Sequence, residues 1–155
     1  MTQDTIYRDI LLKHARYPKN SGRLENPELC ASVNNPLCGD ELEITLNLSG
    51  EIIRECMTIV RGCSICQASA SIMSEIIIKK TINEAIKTGR LFDENLLKDN
   101  EDVHEILEPL RPFLALRAHR SRIKCMKLAW DALEDCANLY KDKNYNYNHL
   151  FLEHL

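Results

Sequence analysis

Seven cysteines in a chain of 155 residues constrain its fold and chemistry more than any other feature. An odd count leaves at least one thiol out of any disulfide framework. The opening residues carry Asp4 and Asp9 and no apolar run, so no secretion signal is expected and the setting reads as reducing and cytoplasmic. Seven reduced thiols then have three uses: core packing, metal binding or sulfur chemistry. A chain of this length forms one domain that buries about two thirds of its unfolded surface. Its 45% hydrophobic and 28% charged residues are those of a globular protein. Twenty basic residues face 23 acidic ones, and no Lys/Arg cluster dominates a segment, so no nucleic-acid partner is expected. The longest uncharged run, residues 62–74, is too short and polar to span a bilayer, so no membrane partner is expected either.

What each cysteine does depends on the element that carries it. Residues 5–16 have a helical period in Ile6, Ile10, Leu11 and Ala15, stopped by Pro18, Asn20 and Gly22. The texture then turns to β. Residues 29–33 form a short strand, and residues 41–48 alternate with Leu42, Ile44, Leu46 and Leu48 on one face. Ser49-Gly50 marks a hairpin, and residues 52–60 return. After Gly62 the period is helical again, with Ile65, Ala68, Ile72 and Ile76 on one stripe. Thr81 and Glu84 predict a capping box for a further helix that ends before Gly89. Residues 90–121 carry weak signals: a helical turn or two over 101–108, broken by Pro109 and Pro112. Ser121 is expected to cap a last helix that buries Met126, Trp130, Leu133 and Ala137. The polar, tyrosine-rich residues 141–155 read as a tail after a domain of residues 1–140. The layout is α+β, a small three-stranded antiparallel sheet packed against helices.

On this layout the thiols divide. Cys30, Cys56 and Cys136 occupy apolar positions on regular elements and read as core. Cys38 lies in Asn35-Pro36-Leu37-Cys38-Gly39-Asp40, a fixed loop that leaves its thiol accessible, with the Asp40 carboxylate two residues on. Cys63 stands where free N–H groups and the dipole of the following helix favour a thiolate. Cys125 lies in the first turn of the last helix, behind Arg122 and Lys124, which favours a thiolate again. Three such cysteines and one carboxylate could hold a tetrahedral metal, yet a lone C-x-x-C is also a redox pair, and buried free cysteine is common. Spacing leaves metal and packing equally open. Cys66, one turn inside Cys63, either backs up the site or packs under it. The histidines are isolated; His119, six residues before Cys125, is the one kept in view. No hydrolase or kinase motif is present.

At these residues the chain resembles the U-type iron–sulfur cluster assembly family, which includes IscU, the N-terminal part of NifU, and SufU. The resemblance is carried by Asn35-Pro36-Leu37-Cys38-Gly39-Asp40, by Gly62-Cys63-Ser64-Ile65-Cys66-Gln67-Ala68-Ser69-Ala70-Ser71 and by Arg122-Ile123-Lys124-Cys125. His14-Ala15-Arg16-Tyr17-Pro18-Lys19-Asn20 also resembles the exit of the family's first helix. Two details point to the SufU type. The stretch near 90–119 resembles an insertion found in that type, and Lys124 stands where IscU-type members have histidine. Cys66 departs from many relatives, which carry serine or another small residue.

The resemblance implies a SufE/NifU-like fold and zinc bound by Cys38, Asp40, Cys63 and Cys125; Cys66, Arg122 and Lys124 stand beside this set as auxiliaries by their own position and charge. It implies that Cys38 accepts persulfide sulfur from a SufS-type cysteine desulfurase and passes it to downstream iron–sulfur assembly proteins or apoproteins. Such a protein is a sulfurtransferase-type accessory rather than a classical turnover enzyme. The alternative it carries is a scaffold that assembles a [2Fe–2S] cluster on the same residues, with iron in place of zinc. A structural zinc module is disfavoured, because Cys38 reads as exposed.

Overall fold

The computed structural model describes residues 2–99 and 101–153, with side chains described up to Asn144. The chain runs α1 (Gln3–Arg16), β1 (Leu29–Asn35), β2 (Asp40–Ser49), β3 (Ile52–Arg61), α2 (Ser64–Ile77) and α3 (Ile82–Leu96). A 3₁₀ turn (Glu105–Leu110), the short α4 (Arg111–Leu114) and a second 3₁₀ turn (Arg120–Arg122) lead into the long α5 (Ile123–Glu153). This is the expected α+β layout.

The sheet is an antiparallel meander in the order β1-β2-β3. Alternation in β2 sends Leu42, Ile44 and Leu46 to the helix-covered face, where each is at most 2% exposed. Burying side chains of this size stabilises the fold by about 1.5–3 kcal/mol each. Gly50 (φ +62°) closes the β2–β3 turn in the left-handed region. α2 packs against α1, α5 and β3. Its small residues Ala68, Ser69, Ala70, Ser71 and Ser74 are all buried. The serines also hold the exit of α1. Ser71 Oγ accepts the Lys19 N–H at 2.8 Å and meets His14 Nδ1 at 2.7 Å, and the Asn20 side-chain amide donates to Ser74 Oγ at 3.0 Å.

The capping box of α3 forms as expected between Thr81 and Glu84. Two expectations further along the chain need correction. α3 does not end before Gly89 but continues to Leu96. Gly89 is there for close approach, since a Cβ on it would lie 2.9 Å from Trp130 Cε3. Ser121 does not cap the last helix, because it sits within the 3₁₀ turn that runs straight into α5. α5 runs on past Lys141 to Glu153, through residues to which the sequence pattern assigns no element. The weakly patterned stretch 90–121 is pinned by aromatic packing: Phe92 lies 6.1 Å from both Phe113 and Trp130, ring centre to ring centre.

Candidate metal centre

Three chain segments meet at one end of the sheet. β1 ends at Asn35, whose side-chain oxygen accepts the Leu37 N–H at 3.1 Å and whose carbonyl accepts the Gly39 N–H at 2.8 Å. This closes the turn over residues 36–39 and presents Cys38 to solvent. Gly39 (φ +74°) supplies the left-handed residue that returns the chain to β2. Asp40, the first residue of β2, pairs with Asn35 across the strands and is 2% exposed.

The second segment is the N-terminus of α2. Cys63 is its N-cap, with an extended backbone that turns Sγ over the first turn to accept the Cys66 N–H at 3.5 Å. Asp40 ties the first two segments together. Its Oδ1 accepts the Cys63 N–H at 3.0 Å, and its Oδ2 accepts from the Cys63 thiol at 3.5 Å. The third segment is the start of α5, where Cys125, 2% exposed, brings its Sγ to 3.9 Å from Cys38 Sγ. Ligand atoms of Cys38, Asp40 and Cys125 all lie within 4.8 Å of one another. Cys63 joins them through its contact with Asp40. In a tetrahedral zinc site with Zn–S bonds of ~2.3 Å, sulfurs stand about 3.8 Å apart, so the Cys38–Cys125 spacing fits such an ion. Three sulfurs and one carboxylate oxygen also suit zinc by donor type.

The electrostatics follow from burial and mutual hydrogen bonding. Burial alone would raise the Asp40 carboxyl. Hydrogen bonds from Cys38, from the Cys63 backbone and from the Cys125 and Cys63 thiols outweigh it and hold Asp40 below the ordinary carboxylate value. Burial first, then hydrogen bonding to Asp40 and Cys63, pushes the Cys125 thiol up. The thiolate-favouring influence expected of Arg122 and Lys124 does not offset this, and both side chains are exposed. Cys66 is fully buried beneath Cys63, and burial pushes its thiol up to about 12. It stays outside the close-set group of ligand atoms. His119 is exposed and lines a surface groove between α1 and α4. Cys56 and Cys136 are buried in the core and Cys30 is half-buried.

Two positioning residues escaped the sequence reading. One is Asn35, whose loop-closing role is announced by the Asn-Pro pair. The other is Gly62. A Cβ there would overlap Asp40 Oδ1 and lie 2.7 Å from its Cγ, so only glycine lets the carboxylate fill that space. The signal is a glycine directly before the helix-capping cysteine.

Over residues 6–147 the chain matches the family model described as NifU-like N terminal domain. The chain belongs to this family. As a NifU-like chain it is 34% identical over 131 residues to the zinc-dependent sulfurtransferase SufU of Bacillus subtilis, covering 84% of this chain and 88% of that one. It is 28% identical over 130 residues to the iron–sulfur cluster assembly scaffold protein IscU of Streptococcus pyogenes, covering 84% and 81%. Among solved structures, a proposed SUF-system iron–sulfur cluster assembly scaffold from Fervidobacterium islandicum superposes with a TM-score of 0.79. That match is 29% identical and covers 87% of this chain and 98% of the other. The NifU-like fold is the one that the three cysteine motifs implied. Among the described residues no helix is long and apolar enough to cross a membrane.

Proposed function

We propose that this chain is a sulfur acceptor of iron–sulfur cluster assembly, using Cys38 as acceptor and Cys38, Asp40, Cys63 and Cys125 as a zinc site. The observation that carries this reading is the asymmetry of the converging thiols. Cys38 is exposed on a turn, whereas Cys63 and Cys125 are held on helices, one half-buried and the other buried. Bound zinc would hold the thiols deprotonated and fixed in place. The chain's own residues do the rest. Cys38 is the exposed thiol of the group, presented on the turn of residues 36–39, whereas Cys63 and Cys125 are less accessible to a partner's active site. In the transfer, Cys38 thiolate attacks the terminal sulfur of a partner persulfide. A new sulfur–sulfur bond forms on Cys38, and the partner's cysteine leaves as thiolate. The partner of this chemistry is a SufS-type cysteine desulfurase, and the sulfur goes on to downstream assembly proteins or apoproteins. The likeness to the zinc-dependent sulfurtransferase SufU of Bacillus subtilis supports sulfur transfer at a zinc site.

The test uses Cys38→Asp, which keeps an anionic ligand but cannot carry sulfur. Zinc content and persulfide per chain are measured after incubation with the matched desulfurase and cysteine. The expected result is zinc retained in part, persulfide abolished and stimulation of the desulfurase lost. Zinc-loaded Cys38→Asp protein that gains persulfide at the wild-type level would end the assignment of Cys38.

A second reading, a [2Fe–2S] scaffold on the same four residues, is supported by the IscU relative and by the extra thiol at Cys66. Anaerobically purified protein with near-stoichiometric iron and sulfide and a charge-transfer colour would favour it over zinc.

A further inference from the structure

Cys66 is the one thiol at this end of the molecule that the sulfur-acceptor reading does not use. It is completely buried in the first turn of α2, and its N–H points at Cys63 Sγ across 3.5 Å. Residues three apart on a helix have Cβ atoms about 5–6 Å apart, and a disulfide requires roughly 3.5–4.5 Å. Cys63 is not an ordinary helical residue, however. As N-cap it has φ −70° and ψ 164°, which draws its sulfur in over the turn and onto the backbone nitrogen of Cys66. The Cys66 side chain springs from the Cα bonded to that nitrogen, beside the atom that Cys63 Sγ approaches. Access is ordered as well. Cys63 is half-buried and Cys66 is sealed, so a small molecule from solvent meets Cys63 first and Cys66 only through it.

We propose that Cys63 and Cys66 form a reversible disulfide by exchange with a low-molecular-weight disulfide, and that this bond withdraws Cys63 from the metal centre. The withdrawal rests on the zinc-site reading above; the disulfide itself does not. Cys63 thiolate attacks one sulfur of the small disulfide, forming a mixed disulfide and releasing one thiolate. Cys66 then gives its proton to that thiolate and attacks Cys63 Sγ, expelling the second small thiolate, which takes up the proton that Cys63 lost on ionising. Two protein thiols are oxidised, one small disulfide is reduced to two thiols, and excess small thiol reverses the exchange. With serine at position 66 the mixed disulfide on Cys63 would lack this resolving thiol. Cys66 thus gives the site a closed, recoverable oxidised form.

The test has two arms on the full-length protein. In the first, metal-stripped protein is titrated with oxidised glutathione, alkylated and digested after Lys and Arg. Cys63 and Cys66 then share the peptide of residues 62–79, whereas Cys38 and Cys125 fall in other peptides. The expected result is that this peptide becomes two hydrogens lighter and loses both alkylation sites, and that dithiothreitol restores them. In Cys66→Ser protein, Cys63 should instead retain glutathione. If both thiols of the wild-type peptide stay alkylatable while Cys38 and Cys125 become linked at their 3.9 Å spacing, the proposal is overturned. Pairing of Cys63 with Cys38 or Cys125 would overturn it too. In the second arm, zinc-loaded protein is challenged with the same oxidant and released zinc is followed with a chromophoric chelator. Wild type should release its zinc several-fold faster than Cys66→Ser, and equal rates would remove the metal consequence. Wild-type protein that never takes up zinc would refute the zinc-site reading and the withdrawal with it, and the peptide masses of the first arm would then decide the disulfide by themselves.

Discussion

Cys125 and Cys136 lie eleven residues apart on α5, about 16 Å along its axis and on nearly the same face. They have opposite surroundings. Cys125 enters the end of the sheet where the β1–β2 turn and two helix starts converge, and meets Cys38, Cys63 and a carboxylate. Cys136 enters the apolar layer, in the electrostatic neighbourhood of Cys30 and Cys56. Cys56 and Cys136 are both buried, and burial pushes each thiol up to about 12. The same side chain is therefore a candidate ligand at the edge of the fold and a small hydrophobe inside it. A carboxylate within reach and a neighbouring turn that presents a second thiol make the difference.

The largest expected effect that tests this contrast is on metal. Cys63→Ser should lower bound zinc from about one per chain to none, and thermal stability should fall with it, by about 4 kcal/mol where free zinc is a thousandfold above its Kd. Cys136→Ser should keep its zinc and lose about 1–3 kcal/mol of stability, from a hydroxyl buried among apolar groups. Metal analysis and thermal melts with and without chelator check both, and zinc loss in Cys136→Ser would break the contrast.

Next come the two glycines that stand where another chain atom approaches. Gly62→Ala should displace the Asp40 carboxylate, cost about 1–3 kcal/mol and weaken zinc binding. Gly89→Ala should press on Trp130 and cost less, because alanine recovers about 1 kcal/mol of helix propensity, with zinc binding unchanged. Zinc titrations of the two variants side by side would show whether the site responds only to its own glycine.

A smaller effect separates the members of the C-x-x-C. Cys66→Ser should retain zinc and shift stability by no more than about 1–3 kcal/mol. Equal zinc loss in Cys63→Ser and Cys66→Ser would mean that the ligand assignment is wrong.

The smallest effect is on alkaline stability. The unfolded chain ionises its thiols above about pH 8.5, whereas folded Cys56 and Cys136 hold their protons until about 12. The unfolded state then binds fewer protons, so their contribution is fully present below about pH 8.5 and is lost as pH rises toward about 12. Denaturant melts across that range should show the decline, shallower in Cys136→Ala. Iodoacetamide at pH 9 should mark exposed Cys38 and spare both core thiols, and rapid labelling of Cys136 in folded protein would contradict its place in the core.

Much of this molecule is legible from its residues in order. The alternation of Leu42, Ile44 and Leu46, the hairpin at Ser49-Gly50 and the Thr81–Glu84 box encode their elements within a few residues of themselves. So does the division of the cysteines, because a thiol beside Gly, Pro or a helix start is placed by local backbone rules. What those rules could not supply was distance. Spacing left Cys38, Cys63 and Cys125 balanced between metal and packing, and only the meeting of the β1–β2 turn with the starts of α2 and α5 puts Cys125 3.9 Å from Cys38. Gly89 shows the same limit of local rules. A glycine in a helical pattern signals either an end or a close approach, and the Trp130 ring that decides between them stands 41 residues further along the chain. Residues 90–121 have no strong period because aromatic contacts from α3, α4 and α5 pin them. Local patterning thus determined the elements and the chemical character of each cysteine, whereas contacts between residues far apart in sequence decided which cysteines share a site.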